Sequence, residues 1–326
     1  MALFIGVDVG GTKVLAAEVS SGGELRRTAR RTTPGRRVDA ALVEDALTAA
    51  VAEVADGRPV DGVGIAAAGF VDRAGERVMF APHLPWRGED VRARLSTRWR
   101  TLVALDNDAN CAARAEHAHG AARGIDDAVV LTLGTGIGGA LLLGGRVHRG
   151  RNGMAGEFGH MQVVPEGQPC QCGGRGCWEQ YSSGNALVRY ARDRIGREPT
   201  VLEEACGGNP EQITGPMVTA AAEDGDLVAR QAFASVGDWL GVGVANLVAA
   251  LDPDCVVVGG GVSAAGDRLL EPARHALLRS LVGAADREVP PLLLATLGPE
   301  AGVVGAADLA RAEAASGAGP SGQALR

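Results

Sequence analysis

Lysine is almost missing from this chain. Lys13 is the only one in 326 residues, against an abundance of arginine. The bland reading is chance in a GC-rich gene. The sharper one is that a point charge was kept inside Gly-Gly-Thr-Lys13 to face phosphate. Aromatic residues are nearly as scarce, at 3%. Ala, Val and Leu must therefore fill the cores, and a hydrophobic content of 46% is enough for that. A positive excess is also lacking. The net charge is -7 and the pI about 5.5, which argues against nucleic acid or an anionic membrane as the main partner. No uninterrupted apolar run of about 18 residues occurs, so no membrane span is expected. The first residues lack the charged n-region of a signal peptide. Free thiols without an export signal point to the cytoplasm.

What is present repeats itself. Leu3 to Val9 alternates and is β-branched, Gly10-Gly11 turns, and Val14 to Val19 returns as a second strand. Leu25 to Thr33 reads as a third strand. Val38 to Ala55 has helical spacing, Val60 to Ala67 is an apolar strand ending at Gly69, and Leu102 to Leu105 is another. Asn107 to Gly120 follows as a helix. The pattern then starts again. Ala128 to Leu133 is a strand, Gly134 to Gly139 a glycine turn, and Ala140 to Leu143 the returning strand, with a further turn at Gly144-Gly145. Helices are expected at Ser183 to Ile195, about Pro216 to Asp224, Leu227 to Leu251, Asp267 to Leu281 and Ala301 to Ala315. Strands are expected at Cys255 to Val258 and Leu292 to Ala295. The Gly/Ser/Pro-rich tail, 316–326, reads as disordered. Two halves that both open with strand, glycine turn and strand imply a duplicated α/β fold, with the ligand in the cleft between the halves.

The densest chemistry lies between Gly150 and Glu179. Cys170, Cys172, Cys177 and His160 are the ligand types zinc prefers, and four protein ligands close its tetrahedron. Glycines between the cysteines let the backbone turn tightly enough to aim the sulfurs inward. The alternatives are scattered core thiols or a disulfide, for which Cys170 and Cys172 are poorly spaced. A closed set of four favours a structural ion over a catalytic one. Cys111, Cys206 and Cys255 lie far away and read as ordinary buried thiols. His83, His117, His119, His148 and His275 read as surface or packing residues. Glu157 and Glu179 flank the knot. With zinc on one ring nitrogen, the other N–H of His160 is oriented to donate to a ligand.

Three glycine turns could approach phosphate closely. Asp8, Gly10, Gly11, Thr12 and Lys13 form the first, with Asp8 suited to hydrated Mg2+. A plain hairpin would use the same glycines. Gly134, Thr135 and Gly136 form the second. It contains G-x-G-x-x-G, but a strand rather than a helix follows, which opposes a dinucleotide fold. Gly260 and Gly261, after Val256 to Val258, form the third and could flank an adenine nucleoside. Asp106-Asn107-Asp108-Ala-Asn110 sits between a strand and a helix. One N-cap would explain one such residue, not the whole run. A carboxylate here could accept a proton from a sugar hydroxyl while Asn107 binds a neighbour.

These segments in this order resemble the ROK family of repressors, open reading frames and sugar kinases. The resemblance rests on Asp-Val-Gly-Gly-Thr-Lys13, Leu-Asp-Asn-Asp-Ala-Asn110, Leu133-Gly-Thr-Gly-Ile-Gly-Gly139, the glycine-rich run to Gly-Glu-Phe-Gly-His160, and Cys-Gln-Cys-Gly-Gly-Arg-Gly-Cys-Trp-Glu179. Within the family the chain is most similar to glucokinases of high-GC Gram-positive bacteria. The resemblance implies an actin-like ATPase (ribonuclease H-like) α/β fold of two domains. These are residues 1–115 with the returning helix at about 301–315, and residues 116–300 with the zinc knot. It implies phosphorylation of a hexose at O6 by ATP with Mg2+. Asp108 is then the base, and Gly69, Asn107, Glu157, His160 and Glu179 hold the sugar. Structural zinc sits on His160, Cys170, Cys172 and Cys177. The chain is expected to be a homodimer or homotetramer. Ala140, where many relatives extend the glycine run, is a small departure beyond the phosphate turn.

Glucose is the expected substrate, with mannose, fructose, allose or an N-acetylhexosamine as alternatives. A sugar-sensing regulator without turnover is a different class. The start of the chain directly at a strand, the acidic charge and the intact Asp108 oppose it. A dinucleotide-dependent oxidoreductase rests only on the weak glycine match.

Overall fold

The computed structural model describes residues 2–317. Of the expected disordered tail, Ser316 and Gly317 close the last helix and the rest lies outside the described residues. The chain divides into two compact units. One contains residues 1–126, 140–156 and 296–326; the other contains residues 127–139 and 157–295.

In chain order the elements begin with β1 (Phe4–Val9), β2 (Lys13–Val19), β3 (Leu25–Thr32), α1 (Ala40–Ala55) and β4 (Gly62–Ala67). Then come β5 (Phe70–Val71), β6 (Val78–Phe80), α2 (Val91–Trp99), β7 (Leu102–Asn107) and α3 (Asp108–His119). The second series is β8 (Ala128–Leu133), β9 (Ile137–Leu143), β10 (Arg146–Val147), α4 (Gly184–Arg192), α5 (Leu202–Ala205), α6 (Gly215–Glu223) and α7 (Leu227–Leu251). It ends with β11 (Cys255–Gly259), α8 (Asp267–Ser280), β12 (Leu292–Leu294) and α9 (Ala301–Ala315).

The first sheet runs β3-β2-β1-β4-β7 and the second β10-β9-β8-β11-β12. Each therefore has its third, second and first strands side by side, then two later strands. In the first sheet β1, β2 and β3 are antiparallel, while β4 and β7 join in parallel. In the second, β11 pairs in parallel with both β8 and β12. Identical strand order in both halves is the duplication that the two glycine turns announced.

Strand periodicity builds the first unit. Ile5, Val7 and Val9 of β1 join Val63, Ile65, Leu47, Val51, Trp86 and Trp99 in one core. The opposite face carries Gly6 and Gly64. A Cβ at either would overlap backbone of α9, at Val303 and Ala306. These bare positions let α9, the last helix, seat on the first strands, and Val303, Val304 and Ala307 are buried there with Leu15, Ala17 and Ala115.

In the second unit α7 packs against α8, α4 and α6, burying Val228, Phe233, Val236, Leu240, Val244 and Leu247. Among the described residues α7 is the one helix long and apolar enough to cross a membrane, and half of its apolar window is buried within the protein. Arg230 and Asp238 interrupt its apolar runs, which hid this property from a run-length reading.

The structure departs from expectation at a few elements. The glycine turn after β8 closes by Gly136, and β9 resumes at Ile137 with Gly138 and Gly139 inside the strand. The β5–β6 hairpin, α2 and the single-turn α5 were not anticipated.

Candidate functional site

In the first unit the hairpin turn between β1 and β2 is closed by Gly10 N–H donating to the Lys13 carbonyl at 3.0 Å. Thr33 locks it from the side, its hydroxyl donating to the Gly10 carbonyl at 2.7 Å. Thr12 and Lys13 are exposed at the turn. Asp8 stands at the end of β1, on the face that α9 covers, with Gly302 beside its carboxylate. Burial pushes the Asp8 carboxyl up to about 7, with repulsion from Asp108 adding and Lys13 opposing. A buried carboxylate raised further by a second one nearby fits a hard divalent cation such as Mg2+. Asp8 is the residue that would hold it.

The run from Asp106 to Asn110 turns out to have divided duties. Asn107 is the N-cap of α3: its side-chain oxygen accepts from Ala109 N–H at 2.8 Å and Asn110 N–H at 3.1 Å. Its amide donates to the Gly69 carbonyl at 3.0 Å. Asp108 is the first helical residue, and burial raises its carboxyl above the ordinary carboxylate value. That shift brings a base toward the working pH.

Asp106 is buried and serves as the hub. Oδ1 accepts from Asn107 N–H and from the Asn110 amide, both at 2.9 Å. Oδ2 accepts from Arg149, Nη2 at 2.6 Å and Nε at 3.0 Å. Sequence reading missed Arg149. An arginine before a glycine in a loop carries no signal of a partner 43 residues away.

In the second unit the turn after β8 is held by Gly134 N–H to the Gly136 carbonyl at 3.0 Å, and by Gly184 N–H to the Gly134 carbonyl at 2.8 Å. Gly260 packs against Leu133 at the same turn, with φ +86°. A side chain there would overlap the Leu133 backbone. The second and third glycine turns are thus neighbours, with Gly134, Thr135, Gly260 and Gly261 exposed.

The knot comes together in the same unit. The ligand atoms of His160, Cys170, Cys172 and Cys177 all lie within 4.8 Å of one another. Cys172 Sγ is 3.6 Å from Cys177 Sγ, and Cys170 Sγ is 3.8 Å from His160 Nδ1. A tetrahedron with Zn–S of about 2.3 Å has S···S edges of about 3.8 Å, so the donor set fits zinc. Glycines at positive φ make the loop possible, Gly173 at +93° and Gly176 at +72°. Backbone bonds then fix the knot: Trp178 N–H donates to the Met161 carbonyl at 2.8 Å, and Val163 N–H to the Gly176 carbonyl at 2.8 Å. Trp178 is fully buried and its indole N–H donates to the Trp239 carbonyl at 2.7 Å.

Glu179 follows this anchor, with Oε1 3.1 Å from Cys170 Sγ and 3.7 Å from His160 Nδ1. The other ring nitrogen of His160, Nε2, lies 4.0 Å from Glu157 Oε2. The ring thus shows Nδ1 to the thiols and Nε2 to Glu157. The structure places His160, Glu157, Glu179 and the cysteines together in one unit, and Asp8, Gly69, Asn107 and Asp108 together in the other.

Two sheets of one strand order, each opened by a hairpin with a glycine turn, define the actin-like ATPase fold. The ROK family model matches residues 4–313, and the chain belongs to that family. It is 42% identical to a glucokinase of Streptomyces coelicolor over 95% of this chain and 98% of that one. It is 35% identical to a glucokinase of Thermotoga maritima over 94% and 96% of the two chains. Among solved structures, a ROK family glucokinase from Streptomyces griseus, in complex with glucose and AMPPNP, superposes with a TM-score of 0.86. It is 44% identical, covering 95% of this chain and all of that one.

Proposed function

We propose that this protein is a glucokinase, transferring the γ-phosphoryl group of ATP to O6 of glucose. The observation that carries the reading is near-complete coverage by glucokinases at 42–44% identity. Asp108 is the general base. It takes the O6 proton while the O6–phosphorus bond forms and the bond to the β-phosphate oxygen breaks, releasing ADP. Its raised carboxyl and its place at the start of α3, fixed by the Asn107 cap, support that role. Asn107, Glu157, His160 and Glu179 bind hydroxyls, with the Gly69 carbonyl holding the Asn107 amide in place. The turns at Gly10–Lys13, Gly134–Gly136 and Gly260–Gly261 receive the nucleotide. Mg2+ on Asp8 neutralises phosphate charge when bound.

Zinc on His160, Cys170, Cys172 and Cys177 is structural, since four protein ligands leave no open position. The last helix completes the first domain, and that domain also takes in residues 116–126 and 140–156, which the expected bounds of 1–115 and 116–300 had given to the second. A cytoplasmic location, no nucleic-acid or membrane partner, and assembly as a homodimer or homotetramer belong to the same proposal. Sedimentation velocity tests the assembly.

A panel of hexoses assayed with ATP and Mg2+ tests the substrate. Glucose is expected to give the highest kcat/KM, with mannose and 2-deoxyglucose weaker and fructose and N-acetylglucosamine poor. A site built on buried hydrogen bonds discriminates by up to about 10⁴-fold when a partner is missing. A preference of about tenfold for another hexose would replace the sugar and leave the kinase chemistry standing.

A further inference from the structure

The two carboxylate oxygens of Glu179 have different neighbours. Oε1 faces the knot, near Cys170 and His160. Oε2 lies over Gly136, the last residue of the turn after β8. A Cβ built on Gly136 would overlap Oε2 and stand 3.3 Å from Cδ of Glu179. Gly134, two residues earlier, has open space around it. Gly136 also lacks a positive φ, so any residue could adopt its backbone conformation. Its missing side chain therefore answers to space, and the space is filled by Glu179. The turn cannot easily withdraw, because Gly184 N–H holds the Gly134 carbonyl from the other side.

We infer that Gly136 is a positioning residue for the sugar: the turn assigned to ATP phosphates also sets where the Glu179 carboxylate stands. This rests on the proposed role of Glu179 in binding glucose. Contact with the turn fixes one oxygen and the knot fixes the other, which leaves the carboxylate one orientation toward a hydroxyl. Preorganisation of this kind is worth affinity because the side chain loses no further freedom on binding.

Gly136→Ala meets only the tip of a flexible side chain, so the protein should fold and keep one zinc per chain. Calorimetric titration with glucose, without nucleotide, is expected to show a Kd raised about tenfold or more. In a Glu179→Ala background the same alanine should add less than about twofold. Glu179→Asp, one methylene shorter, relieves the overlap. Gly136→Ala/Glu179→Asp should bind glucose more tightly than Gly136→Ala alone, and this comparison holds even if the single variant folds poorly. A glucose Kd unchanged in Gly136→Ala, or weakened equally with Glu179 removed, overturns the inference while leaving Glu179 a sugar ligand. Unchanged glucose binding in Glu179→Ala overturns both.

Discussion

Asp108 and Asp8 show how far single residues carry the chemistry. Asp108→Asn keeps the size and hydrogen bonding of the side chain and removes the proposed base. The expected outcome is a kcat about 10²–10⁴-fold lower with glucose binding largely kept, read by steady-state kinetics beside calorimetry. Near-normal turnover would move the base elsewhere. Asp8 makes a prediction with a definite sign. Its folded value of about 7 lies above the ordinary 3.8, so the native state binds a proton that the unfolded chain has released between those values. Its contribution to stability is present below pH 4 and lost as pH rises through about 7. Asp8→Asn should therefore melt higher than the parent at pH 8 in Mg2+-free buffer, by on the order of 2 kcal/mol after allowing for partial solvent exposure, and the gain should vanish near pH 4. Activity should fall in the same variant. Equal melting curves at both pH values would refute the strained carboxylate. The acidic run was legible as chemistry, but its division was not. Which of Asp106, Asn107 and Asp108 caps α3, which is buried against Arg149 and which is left for substrate depends on where β7 ends.

At the scale of elements, the knot and the segment before it hold the site's shape. Cys172→Ser removes one of the four proposed zinc ligands. Metal analysis should fall below one zinc per chain and glucose affinity should drop, because His160 and Glu179 are oriented by the same loop. Full activity in zinc-free protein would be the contrary result. Arg149→Met leaves the Asp106 carboxylate buried without its cation, a loss of about 3–5 kcal/mol in comparable cases. Pairing it with Asp106→Asn should restore much of the melting temperature, and thermal unfolding of the double-mutant cycle checks this. The spacing of Cys170, Cys172 and Cys177 made the knot legible, since ligands close in sequence are close in space. The helix α2 was not anticipated, although Val91, Leu95 and Trp99 fall four residues apart and are all buried. Three arginines in nine residues masked that stripe, which is a lesson about weighting spacing over composition.

The molecule as a whole is stitched from both ends of the chain. The last helix, α9, covers the face of β1, β4 and β7 and packs on α3, so the first unit cannot be completed until residue 315 has been made. A chain stopped after Glu300 should expose Leu15, Ala17 and Ala115, bind a hydrophobic dye strongly and fail to bind nucleotide or sugar, whereas one stopped after Gly317 should behave as the full chain. Residue order alone determined a great deal here: the strand-turn-strand repeat, the cysteine spacing, the candidate base and the acidic balance are all local patterns or sums. Only the tertiary structure decided that Gly6 and Gly64 seat a helix 240–300 positions away, that Arg149 neutralises Asp106, and that Gly136 makes room for Glu179. Those contacts join residues remote in sequence, and a glycine or an arginine looks the same in a sequence whether it faces water or a distant partner.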